Sequence, residues 1–408
     1  MGAVLFRNGR LFDGVGPEAR DGVEVLVEGT RIKEVSDRPI RSTSAAAIDL
    51  GGRTLMPGLI DAHWHINAAD VDLSRLDGMA VTKRAQWARV YLEAALDRGF
   101  TTIRDVGGAE HGIAQAVEEG LIKGPRVIYG GPAFSQTGGH GDMRPMRHFE
   151  GCACCYSGSL TKVVDGPHAL RAAIREEFRK GAHHIKIMGS GGVASPTDPL
   201  EHSQYSDEEI LAAVDEARRH GSYVAAHCHP AAAIRRCAEL GVRSIEHGTL
   251  IDAETAAVVA KRGAFVVPTL VILHTLIEDG ARLGLPQVSL DKLARTADHG
   301  LRSLSIMKAA GVTMGFGTDL LGELHPQQSR EFRIRAEVLS PPEILRSATA
   351  VNAELMLRAG ELGMVAPGAI ADLIVIDGNP LRDVTLLDGQ GENVPIVMKD
   401  GNFHRNRL

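Results

Sequence analysis

The sequence predicts an α/β fold: an eight-stranded parallel (β/α)8 TIM barrel carrying a small β-sandwich built from both chain ends. Three observations support this. The middle of the chain alternates short apolar runs with helix-period stretches. Both ends carry period-two segments punctuated by glycine. Side chains able to bind metal close successive apolar runs, as when a barrel aims its catalytic residues from the carboxyl ends of its strands.

At the N-terminal end, Val4-Leu5-Phe6, Val23–Glu28 and Arg31–Val35 alternate with period two, and Asn8-Gly9 supplies a turn. The same texture returns at Ala371–Asp377 and Val394–Gly401. A sandwich of residues 1–56 plus 363–408 is expected, with a barrel of residues 57–362 inserted in it. The barrel strands are expected at Leu59–His65, Thr101–Val106, Val127–Gly130, His184–Met188, Tyr223–His227, Ser244–His247, Phe265–Leu270 and Thr313–Gly317. Helices fall between them at Lys83–Arg98, Pro167–Lys180, Ser206–His220 and Ile251–Lys261. Ser206 followed three residues later by Glu209 is a capping-box start.

The 408 residues suffice for such a barrel and an accessory domain. A net charge of −6 with 24% charged residues gives no general field for nucleic acid or an anionic membrane. No apolar run reaches the ~18 residues a spanning helix needs. The first residues lack a signal-peptide pattern, so a cytoplasmic location is expected. Five cysteines are too few for a disulfide scaffold. Cys152, Cys154 and Cys155 read as loop thiols, with a redox pair or a second metal site as alternatives. Cys228 is expected to pack behind the pocket, and Cys237 in the core.

The chemistry is carried by His63, His65, Lys186, His227, His247 and Asp319, each ending an apolar run. His63-Trp64-His65 on an extended segment places both imidazoles on one side and Trp64 on the other. Alone, this pair is weak among 17 histidines. The whole series in order is most simply a metal-dependent hydrolase. Lys186, taken by itself, reads first as a buried amphipathic lysine or a substrate ion pair rather than as part of a metal site.

The strings Met56–His65, Thr137–Asp142, Ile185–Val193, Ile245–Gly248, Gly317–Asp319 and Pro367–Leu373 resemble the amidohydrolase superfamily. The likeness is to its imidazolonepropionase-like and prolidase-like branch and spans nearly the whole chain. It implies two divalent metal ions, zinc by preference. His63, His65 and Asp319 would hold one ion, and His227 and His247 the other. Lys186 would bridge them as a CO2-derived carbamate, which supplies a negative ligand where an ammonium would be repelled.

The implied reaction is hydrolysis of an amide or peptide bond by a bridging hydroxide, with Asp319 as base and then acid. His140, in a glycine-rich loop, is a candidate substrate contact. So is His229, where many relatives carry tyrosine; imidazole can still donate there, but it is shorter and titrates near neutrality. Tyr205 and His274 are further candidates at the pocket mouth. Ser190-Gly191-Gly192 and Ser195–Asp198 read as a lid-like loop. Arg104-Asp105 reads as support for a ligating imidazole or as a structural ion pair. His111, His183, His184, His202 and His220 are assigned no role.

The expected substrate is a dipeptide or N-acyl amino acid. Non-peptide amides, carbamates or lactones are the alternative, and a non-catalytic barrel scaffold a third reading. The resemblance also implies a homo-oligomer.

Overall fold

The computed structural model describes residues 2–144, 160–195 and 198–408. The Cys152, Cys154, Cys155 cluster and the Pro196-Thr197 part of the expected lid lie outside the described residues. Alternating side chains at the start of the chain build β1 (Val4–Arg7), β2 (Arg10–Leu11), β3 (Arg20–Asp21), β4 (Glu24–Glu28), β5 (Arg31–Ser36), β6 (Ala46–Asp49) and β7 (Thr54–Pro57).

Parallel strands follow, nearly all buried on both faces, which explains their continuous apolar character. The first three are β8 (Leu59–Trp64), β9 (Phe100–Asp105) and β10 (Arg126–Tyr129), and they form one sheet in the order β10-β9-β8. A second sheet holds β11 (Ala133–Ser135), β12 (Thr161–Val163), β13 (Ile185–Met188), β14 (Val224–Pro230), β15 (Ser244–Leu250) and β16 (Phe265–Val267). Its order is β12-β11-β13-β14-β15-β16. The helices include α1 (Val81–Asp97), α2 (His111–Glu118), α3 (Pro167–Arg179), α4 (Asp207–Arg219), α5 (Ala231–Glu239), α6 (Ala253–Arg262) and α7 (Leu270–Asp279). The Ser206–Glu209 capping box starts α4, and Asp252 caps α6.

Two strand expectations need correction, and one strand is added. The third strand is β10, which pairs with β9; beyond Gly130-Gly131-Pro132 a further short strand, β11, pairs with β13. Pro132 has no N–H to give to a ladder, and Gly131 takes a φ of +74°, so the run cannot stay regular. The seventh strand stops at Val267, before Pro268, and Leu270 opens α7. Thr313–Gly317 is not a regular strand; it makes one isolated bridge, Val266 to Met314. It still closes the barrel, because Ala62 N donates to Phe316 O (2.8 Å) and Gly315 N to Val266 O (2.8 Å). Asn352 completes the seam with its side chain, donating to Ile60 O and Phe316 O and accepting from Phe316 N. A Cβ on Gly317 would lie 2.7 Å from His63 Cβ, so only glycine fits this closely against the first strand.

The C-terminal end returns as β17 (Leu373–Ile376), β18 (Ile396–Lys399) and β19 (Asn402–Asn406). β17 pairs antiparallel with β7, so the two chain ends share the sheet β19-β18-β17-β7-β2-β3. It packs on the sheet β5-β4-β1-β6 over a core that includes Phe6, Val25, Leu55, Leu373 and Met398. The fold is therefore a TIM barrel with a terminal β-sandwich. No helix among the described residues is long and apolar enough to cross a membrane.

Candidate metal centre

The strand ends deliver His63, His65, Lys186, His227, His247 and Asp319 to one pocket of about 840 Å³, counted to its open mouth. His140 and His229 line the same pocket. Two backbone irregularities make this possible. His247 and Asp319 have φ values of +71° and +57°, a left-handed conformation that side chains other than glycine seldom adopt. Asp319 N donates to His63 O (2.8 Å), tying the turn to the first strand. At His247 the turn lets neighbours 246 and 247 both face the centre, which strand alternation forbids.

Two groups of ligand atoms cluster, each within 4.8 Å: His63, His65 and Asp319, and His227, His229 and His247. Asp319 Oδ1 lies 3.3 Å from His63 Nε2 and 3.2 Å from His65 Nε2. Its other oxygen is 3.9 Å from His247 Nδ1. The rings of His227 and His247 sit 4.5 Å apart, and those of His63 and His247 4.8 Å, so the two groups are contiguous.

Burial pushes His227 and His247 well below the usual histidine range, which leaves their rings neutral with lone pairs available. Burial opposes the charged form of Asp319, but His63 and the neighbouring imidazoles hold it well below the usual carboxylate range. Lys186 is 2% exposed and has no hydrogen-bond or ion-pair partner among the described residues. Burial lowers its ammonium's pKa. Neutral imidazoles, an ionised carboxylate and a partnerless buried amine form a donor set that fits divalent cations.

The supporting contacts are as specific as the ligands. Glu246 accepts from His63 Nδ1 (2.7 Å), from Arg104 Nη2 (2.8 Å) and from Ser244 Oγ (2.5 Å). His65 Nδ1 meets Gly107 O at 2.9 Å, and Asp105 fastens that loop by accepting from the backbone N–H of Ile66, Gly107 and Ala109. Arg104 and Asp105 thus both support candidate ligating imidazoles through intermediates. Glu246 was not assigned a role from sequence; a carboxylate immediately before a candidate ligand on a buried strand was the available signal. His229 is held by Thr249 Oγ1 (3.1 Å) and stacks on His247 at 17°, closer to the ligand cluster than a substrate contact alone requires.

His140 stacks on His227 with ring centroids 4.1 Å apart, and its Nδ1 lies 2.8 Å from Ser195 Oγ. Burial lowers it to about 4, and His229 to about 3, so both are neutral near pH 7. The loop after β13 is clamped by Lys292, which donates to Gly192 O (2.9 Å) and Ser195 O (2.8 Å).

Tyr205 and His274 are corrections. Tyr205 is buried behind the wall, donating to Val164 O (3.0 Å). His274 sits on α7 between Leu273 and Thr275; that helix presents Ile272, Leu273 and Leu276 to the pocket, and His274 is not on its wall. Helical periodicity on α7, which opens at Leu270 where a loop was expected, decides which residues face inward. Cys228 points behind β14, its Sγ 3.6 Å from Cys237 Sγ.

The sequence profile of the Amidohydrolase family matches residues 54–403. The chain belongs to that family. This amidohydrolase is 51% identical to a crystallised amidohydrolase, with a TM-score of 0.97 and full coverage of both chains. It is 48% identical to a prolidase crystallised with N-methylphosphonate-L-proline (TM-score 0.96, covering 99% of this chain and all of that one). Ochratoxinase from Aspergillus niger is 32% identical over 371 residues, covering 86% of this chain and 75% of that protein. These relatives make the amidohydrolase a hydrolase of the prolidase-like branch.

Proposed function

We propose that this amidohydrolase cleaves the amide bond of an N-acyl amino acid or dipeptide at a binuclear metal centre. The observation that carries the reading is the contiguity of the two candidate ligand groups in a pocket also lined by Lys186, a buried amine with no partner among the described residues. The fit to a prolidase that binds a phosphonate built on proline supports an amine half bearing a carboxylate. In this reading the barrel comprises residues 57–362, and residues 1–56 plus 363–408 form a separate supporting unit.

His63, His65 and Asp319 would hold one ion and His227 and His247 the other, with zinc the expected metal. Lys186 would bond through Nζ to the carbon of CO2 and release a proton, giving a carbamate between them. The ions, when bound, supply Lewis acidity and make bound water more acidic. Asp319 would accept a proton from the attacking water on a carboxylate oxygen and hand it to the departing amine nitrogen. His229 would steady the carbonyl oxygen or serve as a further ligand. His140, neutral and oriented by Ser195, would donate to the amine half of the substrate.

A panel of dipeptides, N-acyl amino acids and aryl amides, assayed with the zinc-loaded enzyme, tests the reading. Amide hydrolysis abolished by chelator is expected. Activity confined to lactones, carbamates or phosphotriesters would overturn the substrate class, and the histidine at 229 keeps carbamates and non-peptide amides as the second reading.

A further inference from the structure

The pocket is asymmetric. Its polar groups outside the ligand set are His140 and Thr161, from the segments after the third strand, and His229, beside the ligand cluster at the end of β14. On the opposite side, the segments following the seventh, eighth and first strands meet. Apart from the ligands, every residue they contribute is aliphatic, including Val71, Leu73, Ile272, Leu273, Leu276 and Leu321. Among the described residues lining the pocket, the sole carboxylate is Asp319, already engaged by His63 and His65. An ammonium placed against that side would lose water and gain no acceptor.

Resting on the proposed amide hydrolysis, with the amine half on the His140 side, we propose that the acyl half is uncharged and apolar. The preferred substrates are then N-acyl amino acids with a medium-length alkyl or aryl acyl group. Free dipeptides, whose N-terminal half carries an ammonium, are poor ones. The aliphatic side thereby sets specificity that the metal ligands leave open.

The test holds the amine half constant as phenylalanine and varies the acyl half in the metal-loaded full chain. From acetyl through butanoyl to hexanoyl, kcat/KM should rise about fourfold per methylene, the factor equivalent to about 0.8 kcal/mol. The leucyl dipeptide should fall below the hexanoyl substrate by tenfold or more. A flat or falling series, or faster cleavage of the free dipeptide, overturns the inference while leaving amide hydrolysis in place. No turnover of any member overturns both.

A second arm uses Leu73→Asp, because Leu73 lines the aliphatic side and is only partly buried. This variant should bind the same metal and narrow the hexanoyl-to-leucyl ratio at least tenfold. An unchanged ratio would also overturn the inference.

Discussion

Glu246 and His63, one on β15 and the other on β8, meet at 2.7 Å, and the second oxygen of Glu246 is bound by Arg104 at 2.8 Å. All three side chains are essentially excluded from solvent. The carboxylate fixes which nitrogen of His63 carries its proton and leaves the other facing Asp319.

Glu246→Gln should lower metal affinity by about 10- to 100-fold, because the ring loses its charged acceptor. Metal content after dialysis against graded chelator measures this. Arg104→Met should act mainly on stability, costing about 3–5 kcal/mol, since it strands a buried carboxylate. Chemical denaturation of the metal-free protein separates the two effects.

Lys186→Ala should reduce both bound metal and turnover to background. Added acetate or propionate should restore part of the activity, by offering the carboxylate that a carbamate would provide. Restoration by a neutral amide of the same size would count against the carbamate.

Asp319→Asn should keep much of the metal, since His63 and His65 remain, yet lower kcat by about 10²- to 10⁴-fold as expected for a lost acid–base group. Parallel metal analysis and steady-state kinetics decide the matter. Turnover near wild type would remove Asp319 from proton transfer.

A Cβ on Gly192 would lie 2.3 Å from His140 Cε1. Gly192→Ala should therefore displace the His140 ring or the loop above it. The expected result is a raised KM with metal content unchanged, measured on the best substrate of the panel.

Acid should destabilise the fold. His140 at about 4 and His325 at about 3 are both lowered first of all by burial, and His184 is lowered well below the usual range for the same reason. An unfolded histidine titrates near ~6.5. Below that pH the unfolded chain binds more protons than the native one, so stability is complete above it and lost as pH falls toward 4. Each such group contributes a slope of up to about 1.4 kcal/mol per pH unit in that window. Denaturant midpoints between pH 7 and 4.5 measure the slope. His325→Gln should flatten it, since an amide oxygen can still accept from Trp64 Nε1, which now donates to His325 Nδ1 (2.9 Å).

What the sequence determined by itself was the barrel, the shared terminal sandwich and the identity of the side chains brought to the pocket. Those follow from local pattern: apolar runs of strand length mark buried strands, and a residue closing such a run is carried to one end of the barrel. His63 and His65 were legible because alternation puts both on one side of their strand. The tertiary structure alone decided the rest. His247 faces the centre beside Glu246 because the backbone turns left-handed there; in register with Cys228, it would otherwise point behind the strand. The eighth segment closes the barrel through Asn352 and the bare backbone of Gly317 instead of a regular ladder. Tyr205 and His274 miss the pocket while α7 lines it with aliphatic groups. These outcomes depend on which distant surfaces pack together, and short-range periodicity carries no record of a partner hundreds of residues away.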